Sequence, residues 1–135
     1  MVSDWQQQSG ETTLKVESTS GVALQVYDLG GTGRPLIFCH ATGFCGQVWT
    51  PVADRLNLKF PGAFRCLAFD FRGHGRSSLP DDGDLDWAGL GDDVLAVKAA
   101  VGPDEPVLAV GHSICLLYTS PSPRDATLSR MPSSA

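Results

Sequence analysis

The chain has 135 residues, of which 42% are hydrophobic and 19% charged, and its formal net charge at pH 7 is -5. This length fits one globular domain with its own core and leaves no room for a second. An acidic chain lacks the cationic face that nucleic-acid binding needs, and no apolar stretch is long enough to cross a bilayer, so we expect a soluble, cytoplasmic protein.

The first predicted elements are the two strands of an antiparallel hairpin. Apolar and polar residues alternate over residues 13–17 and again over 22–26, with a glycine-containing turn between the two runs. A glycine-rich break at 30–33 then precedes the continuous apolar run LIFCH at 36–40. Such a run is typical of a strand that is buried on both faces of a sheet.

Helices and strands alternate over the next part of the chain. Apolar side chains recur at helical spacing over residues 48–58, and the short run 65–70 predicts a strand. A second helix is expected between an N-cap at Asp86 and a stop at Gly102, and residues 106–110 predict the last strand. This alternation predicts an α/β fold whose mostly parallel sheet is fronted by the antiparallel hairpin.

The most informative motif is GHSIC at residues 111–115, which follows the last predicted strand. A sharp strand-to-helix turn lifts a serine hydroxyl into the open, and the next backbone N–H points toward developing negative charge. Ser113 is therefore a candidate nucleophile, and the N–H of Ile114 is a candidate oxyanion donor. Gly111 is the small residue that such a turn needs before the serine, whereas Cys115 only partly meets the same requirement after it.

Two upstream segments match this motif in order and spacing. FCHATGF (38–44) follows the third predicted strand, and DFRGHGRS (70–77) follows the fourth. Together with GHS, these segments make the chain resemble the α/β-hydrolase superfamily over roughly residues 12–113. The resemblance implies an incomplete α/β-hydrolase fold that binds a small-molecule substrate and uses no cofactor. No metal is expected either, because the four cysteines lack the paired spacing of a zinc site.

The resemblance also assigns roles to individual residues. Ser113 would be the nucleophile, and the oxyanion hole would use the backbone N–H of Ile114 and that of Thr42, with Gly43 or Phe44 as alternatives to Thr42. Ala41 stands where the family usually has glycine. Because alanine adopts a positive φ only at a cost, the donor in this loop stays open at this point.

The other polar residues near these motifs are expected to be structural. His40 and His74 would brace loops through hydrogen bonds to the backbone, because the base of this fold follows the nucleophile in the chain. Asp70 and Arg72 are expected to form a pair that fixes a loop. Solvated charges are expected at the remaining aspartates of the region, which are Asp81, Asp82, Asp84, Asp86, Asp92 and Asp93.

A complete catalytic triad is missing from the sequence. In this fold the carboxylate and then the histidine follow the nucleophile, but no histidine follows Ser113, and Asp125 is the only later acid. The helix that should continue from the serine is also interrupted, because Pro121 and Pro123 cannot lie in its interior. The chain is therefore expected to be catalytically inactive on its own.

The sequence divides into three expected regions. Residues 1–11 are expected to be a disordered N-terminus, and residues 12–114 the N-terminal half of an α/β-hydrolase domain. Residues 115–135 are rich in Ser, Pro, Thr and Arg and contain no glycine. This last region is expected to be a low-order, non-native tail, and it resembles a translated sequencing adapter.

We therefore expect a fragment of a serine-nucleophile hydrolase that acts on an ester or a related carbonyl or C–C substrate. Two alternatives remain open, namely a non-enzymatic binding or scaffold protein on the same fold and an acyltransferase. Neither nucleic acid nor a membrane is an expected partner. The last strand would leave an apolar sheet edge through which the chain could associate with itself.

Overall fold

A computed structural model of the protein describes residues 5–8, 10–85 and 87–112, which form one sheet with helices on both faces. Short 3-10 turns span Thr19–Gly21 and Gly46–Trp49. The helices are α1 (Thr50–Lys59) and α2 (Trp87–Val101). The strands are β1 (Gln6–Gln8), β2 (Glu11–Glu17), β3 (Ala23–Gly30), β4 (Arg34–Cys39), β5 (Phe64–Phe69) and β6 (Leu108–Gly111).

The sheet is mixed, with the strand order β1-β2-β3-β5-β4-β6. The predicted hairpin is confirmed, since β2 pairs antiparallel with β3 and Leu14 lies opposite Val26. β3 then pairs antiparallel with β5, whereas β4 lies parallel to both β5 and β6. The predicted fold class, an α/β fold in which an antiparallel hairpin precedes parallel strands, is confirmed. The hairpin joins the parallel strands through the pairing of β3 with β5, so the described sheet as a whole is mixed.

Each face of the sheet packs against one helix. On one face, Ile37 and Cys39 of β4 lie in a core with Leu90, Val94 and Val97 of α2. On the other face, Leu36 and Phe38 of β4 pack in a second core with Ala53 of α1. The continuous apolar run of β4 is thus buried on both faces, as the sequence predicted.

Both predicted helices are present, with small shifts at their ends. A 3-10 turn precedes α1, and Pro51 stands in the first turn of the helix, where its missing N–H costs no hydrogen bond. Val52 was expected on the apolar face with Ala53 but is 41% exposed. α2 ends at Val101, directly before the predicted stop, while the predicted N-cap Asp86 lies outside the described residues.

The N-terminal boundary differs from the expectation. Residues 6–8 were predicted to be disordered, but they form β1 and pair with β2, which itself begins at Glu11. A run of three glutamines has no apolar alternation, so the sequence pattern gives no signal for this strand. Its backbone pairs with the exposed edge of β2, and the side chain of Gln7 donates to the hydroxyl of Thr12 at 2.6 Å. The expected tail at 115–135 lies outside the described residues.

Candidate active site

The strand order reverses at β4, which lies between β5 and β6. From β4 the chain crosses through α1 to β5 on one side, and from β5 it returns through α2 to β6 on the other side of β4. The two helices cover opposite faces of the sheet, so the loop after β4 and the loop after β5 lead to opposite faces. In open α/β sheets, ligands bind outside the carboxyl ends of the strands at such a switch point, and we call the region at the carboxyl ends of β4 and β6 the crevice.

The loop after β4 lies beside the end of β6. The backbone N–H of His112 donates to the carbonyl oxygen of Cys39 at 3.2 Å, which continues the pairing of the two strands by one residue. The ring of Phe44 lies nearly parallel to the ring of His112, with their centroids 6.3 Å apart. The loop that carries the candidate oxyanion donors is therefore next to the residue that precedes Ser113. Ser113 and Ile114 themselves lie outside the described residues, so their roles stay predictions.

The middle of this loop is a tight turn that explains its sequence. The N–H of Phe44 donates to the carbonyl oxygen of Ala41 at 3.0 Å, and Gly43 has a φ of +89°. A glycine at the third position with positive φ is typical of a type II turn. Among the described residues only one other than glycine has a positive φ, and it is Ser20, so Ala41 adopts an ordinary backbone conformation.

This turn narrows the choice of oxyanion donor. The N–H of Phe44 is committed to the turn, which makes Phe44 the weakest of the three candidates. Thr42 and Gly43, the other two candidates, are both exposed in this loop. The difficulty expected from alanine at position 41 does not arise, since the positive φ that this loop needs is at Gly43.

His40 anchors the start of the loop and has no exposed surface. Its Nε2 accepts the N–H of Phe71 at 2.9 Å, so its Nδ1 carries the proton and donates to the carbonyl oxygen of Ala41 at 2.7 Å. Burial lowers the pKa of His40, and the neighbouring His74 lowers it further. Both ring nitrogens are occupied, in agreement with the structural role expected for His40 and against a role as general base.

His74 also contacts the backbone, through Nδ1 and the carbonyl oxygen of Arg72 at 3.0 Å. Its ring lies 4.9 Å from that of His40, measured between centroids. The bracing role expected for His74 therefore agrees with the structure. His112 is exposed at the end of β6, and its position next to Ser113 in the chain makes it a poor base for that residue.

Asp70 anchors the other end of the loop. Its carboxylate is fully buried, and Oδ1 accepts the N–H of Gly46 at 2.7 Å. Oδ2 accepts the hydroxyl of Tyr27 at 2.7 Å and the N–H of Arg76 at 2.9 Å. A Cβ on Gly75 would lie 2.3 Å from this oxygen, which explains the glycine at that position. Burial and the bond to Asp70 raise the pKa of Tyr27.

Arg72 does not pair with Asp70, contrary to the expectation. Its guanidinium lies against the carboxylate of Asp93 in α2, with Nη2 2.8 Å from Oδ1, and the same group donates to the hydroxyls of Ser18 and Thr19. The expectation that Asp93 is a solvated charge is also wrong, since this side chain is fully buried. Hydrogen bonding to Asp93 raises the pKa of Arg72. The reason for both errors is that the partner of Arg72 comes from a helix and not from its own loop.

Three contributors to the site were not found from the sequence, namely Tyr27, Gly46 and Asp93. The first lies in the predicted hairpin, far from the motifs, and nothing in its neighbours marks it. For Asp93 the sequence did contain a signal. Asp93 directly precedes Val94, which lies on the apolar face of the predicted helix, and a carboxylate next to that face can be buried. No group of acidic, histidine and cysteine side chains that could hold a metal occurs in the part of the chain that the structure describes. Within that same part, no helix is long and apolar enough to span a membrane.

An open α/β sheet that carries a loop of backbone N–H donors at its switch point is a combination of fold and site found in many hydrolases. Residues 36–114 match the profile described as the alpha/beta hydrolase family, which is more than half of the chain. The chain belongs to the α/β-hydrolase family.

Curated relatives include a methylesterase and an epoxide hydrolase. A probable protein phosphatase methylesterase 1 from Caenorhabditis elegans is 32% identical over 102 residues, which cover 74% of this chain and 28% of that protein. An epoxide hydrolase from Caballeronia sordidicola is 34% identical over 68 residues, which cover 50% of this chain and 20% of that protein. The chain therefore spans less than a third of the length of either relative.

Solved structures share the fold. An epoxide hydrolase from Vigna radiata superposes with a TM-score of 0.70 at 22% identity, over 86% of this chain and 36% of that one. The Cif epoxide hydrolase from Acinetobacter nosocomialis gives a TM-score of 0.68 at 23% identity, over 84% and 34% of the two chains. At this identity the likenesses show a shared fold, and this chain covers about a third of each of those structures.

Proposed function

We propose that the chain carries the nucleophile side of a serine hydrolase site, which acts on a carboxylic ester or a related carbonyl or C–C substrate. The observation that carries this proposal is the position of the loop 40–46 beside the end of β6. His112 and Cys39 are joined by a backbone hydrogen bond of 3.2 Å, so the residue that precedes the proposed nucleophile lies beside the loop of candidate oxyanion donors. A nucleophile that follows His112 would lie beside backbone N–H groups that can stabilise negative charge.

The proposed chemistry begins with attack by the hydroxyl oxygen of Ser113 on the carbonyl carbon, while the general base of the whole protein takes the hydroxyl proton. The carbonyl oxygen becomes an oxyanion, which the N–H groups of Ile114 and of Thr42 or Gly43 stabilise. The tetrahedral intermediate collapses, the alcohol leaves with a proton from the general base, and an acyl-enzyme remains. Water then cleaves the acyl-enzyme, and the serine recovers its proton.

The serine itself favours an ester over an epoxide as the substrate. Attack of a serine oxygen on an ester gives an acyl-enzyme, which water can hydrolyse through a second tetrahedral intermediate. Attack on an epoxide carbon would instead give an ether, which has no carbonyl group for water to attack. The methylesterase name of one relative is therefore a better guide to the substrate class than the epoxide hydrolase names.

The 135 residues alone are proposed to have little or no turnover. His40 has both ring nitrogens occupied, His74 is bound to the backbone, and the sequence after Ser113 has no histidine. Without a base, only binding and oxyanion stabilisation would assist the serine. In the proposed whole protein, the acid and the histidine come from segments beyond this sequence.

The compartment is proposed to be the cytoplasm. Among the described residues, Cys45 and Cys66 form no disulfide, and burial raises the pKa of Cys66. Thiols in this state are usual in a reducing compartment. Fractionation of cells that express the tagged protein checks this, and recovery in a secreted fraction would contradict it.

The test of the proposed function joins the gene's native downstream sequence to residue 113 and measures hydrolysis of a p-nitrophenyl ester. We expect activity that is lost in Ser113→Ala, and no turnover of an epoxide of similar size. The downstream sequence should contain an Asp or Glu after a strand and a later histidine. Turnover that survives Ser113→Ala, or their absence from that sequence, would favour the scaffold alternative.

A fluorophosphonate probe tests the 135-residue chain directly. Weak or absent labelling is expected, because the serine lacks a base to remove its proton. Strong labelling that disappears in Ser113→Ala would contradict the proposed inactivity of this chain while supporting Ser113 as the nucleophile.

A further inference from the structure

The carboxylate of Asp70 is held in an unusual way. It is fully buried, yet none of the ion pairs among the described residues involves it. Its negative charge is stabilised by two backbone N–H groups, from Gly46 and Arg76, and by the hydroxyl of Tyr27. A buried charge without a cation is costly unless it is fully hydrogen-bonded. The carboxylate of Asp70 therefore needs all three donors, and it holds all three in place.

The three donors come from separate parts of the chain that meet at the crevice. Tyr27 lies in β3, Arg76 lies in the loop after β5, and Gly46 ends the loop after β4. Gly46 is itself buried, and a Cβ at this position would lie 2.9 Å from the carbonyl oxygen of Phe69. Its N–H therefore has little freedom to find another acceptor.

The loop 40–46 has an exposed middle and is held at each end by buried hydrogen bonds. His40 fixes the first end through Phe71 and Ala41, and Asp70 fixes the second end through Gly46. Both anchors are tied to the segment that directly follows β5, since Phe71 is the next residue after Asp70. The turn at 41–44 cannot shift along the crevice unless one of these buried bonds breaks.

We propose that Asp70 is a positioning residue for the oxyanion hole, which sets the place of the Thr42 and Gly43 N–H groups through its bond to Gly46. This inference rests on the proposed function, because an oxyanion hole has meaning only if a nucleophile attacks beside it. Asp70 touches no reacting atom, and it acts by restricting the loop. Oxyanion stabilisation depends on donors that are already in place when charge develops, so a looser loop weakens it.

The first test is amide hydrogen exchange in Asp70→Asn, with rates expressed relative to the Leu67 amide in the centre of β5. Asparagine replaces one acceptor oxygen by a donor NH₂ group, so at least one of the three donors loses its partner. Exchange at Gly46 and Phe44 should rise about tenfold or more, because an unsatisfied buried donor is costly. Dividing each exchange rate by that of the Leu67 amide corrects for any general loss of stability in the variant.

Asp93→Asn is the matched control. Asp93 is equally buried and also accepts a backbone N–H, that of Arg72 at 3.0 Å, but its hydrogen bonds in the described part of the chain go to Arg72 and Ser18 and not to the loop. Its replacement should leave the relative exchange of Gly46 and Phe44 unchanged. Equal increases in both variants, or no change at Gly46 in Asp70→Asn, would overturn the proposal.

Tyr27→Phe keeps the proposal testable if Asp70→Asn does not fold. This change removes one donor to the carboxylate and leaves the bonds to Gly46 and Arg76 possible. We expect a smaller increase in the relative exchange of Gly46, of about threefold to tenfold. No increase in this variant, together with an Asp70→Asn chain that fails to fold, would count against positioning and for a purely structural carboxylate.

Fluorophosphonate labelling separates positioning from the proposed function. If the wild-type chain reacts at Ser113, Asp70→Asn should lower the maximal labelling rate about tenfold and leave the half-saturating probe concentration unchanged, since the oxyanion forms only during attack. A change in the half-saturating concentration alone would overturn the proposal. If the wild-type chain does not react, the exchange rates decide, and they do not depend on whether the whole protein hydrolyses esters.

Discussion

At the scale of single residues, His40 combines two properties that make it sensitive to acid. It is fully buried, and its Nε2 must stay unprotonated to accept the N–H of Phe71. Protonation would replace this acceptor by a donor and leave two N–H groups facing each other. The pKa of His40 is lowered in the folded protein for this environment, mainly by burial.

The chain should therefore lose stability as the pH falls through the range where an unfolded histidine takes up a proton. In the unfolded state the pKa of His40 returns to about 6.5, so the stabilising contribution is complete above that pH and is lost as the pH falls toward the lower folded value. Urea unfolding between about pH 7 and pH 5 measures this. His40→Gln should flatten the dependence, whereas His112→Gln, at an exposed site, should leave it unchanged. An equal slope in wild type and His40→Gln would contradict the prediction.

The sequence identified His40 and His74 as structural, but it could not find the partners of Asp70 and Arg72. The DFRGHGRS segment predicts a constrained loop after a strand, since its glycines allow positive φ, which Gly73 and Gly75 adopt. Its two charged residues look like a local pair only because they are two residues apart. In the fold, Asp70 binds Tyr27 from 43 residues away, and that separation leaves no trace in local pattern.

At the scale of elements, the ion pair between Arg72 and Asp93 joins three pieces of the fold. Arg72 follows β5, Asp93 lies in α2, and Ser18 and Thr19, which also bind the guanidinium, lie in the turn of the hairpin. Gly89 makes room for the guanidinium, because a Cβ there would lie 2.5 Å from one of its nitrogens. A buried pair of this kind stabilises little relative to an apolar replacement but is costly to break on one side.

Asp93→Asn should therefore destabilise the chain by about 3 kcal/mol, because it leaves the buried Arg72 guanidinium without a counter-charge. Asp28→Asn is a suitable comparison, since Asp28 pairs with Arg65 at 3.1 Å but both side chains are partly exposed. That variant should cost about 1 kcal/mol or less. Urea unfolding of the two variants measures both losses of unfolding free energy. Equal losses would contradict the prediction that breaking the buried pair costs more than breaking the exposed one.

At the scale of the whole molecule, the sheet ends at β6 with apolar side chains in contact with solvent. Leu108 is 41% exposed and Val110 is 39% exposed, and β6 is the terminal strand of the described sheet. The predicted edge is thus present in the described residues, although the predicted self-association is not tested by it. An apolar strand at a sheet edge is a ready template for pairing with another chain.

The expected consequence is concentration-dependent association of the 135-residue chain through β6. Val110→Lys should shift the chain toward monomer, because a charge on an edge strand opposes pairing with a second edge. Leu95→Lys is the control, since Leu95 is 51% exposed but lies on α2, away from this edge. Light scattering coupled to size exclusion measures the change. A wild-type chain that stays monomeric at high concentration, or an equal shift in both variants, would contradict the prediction.

The sequence by itself determined the succession of elements from β2 to β6, the strand buried on both faces and the motifs that identify the family. These features are local, because hydrophobic period, glycine position and motif spacing are written in neighbouring residues. Only the tertiary structure decided that β3 pairs with β5, that Gly46 binds Asp70, and that Arg72 binds Asp93. Each of these contacts joins separate segments of the chain, such as Gly46 and Asp70 at a separation of 24 residues. Their geometry follows from how the sheet and helices pack, so it exists only after the chain has folded.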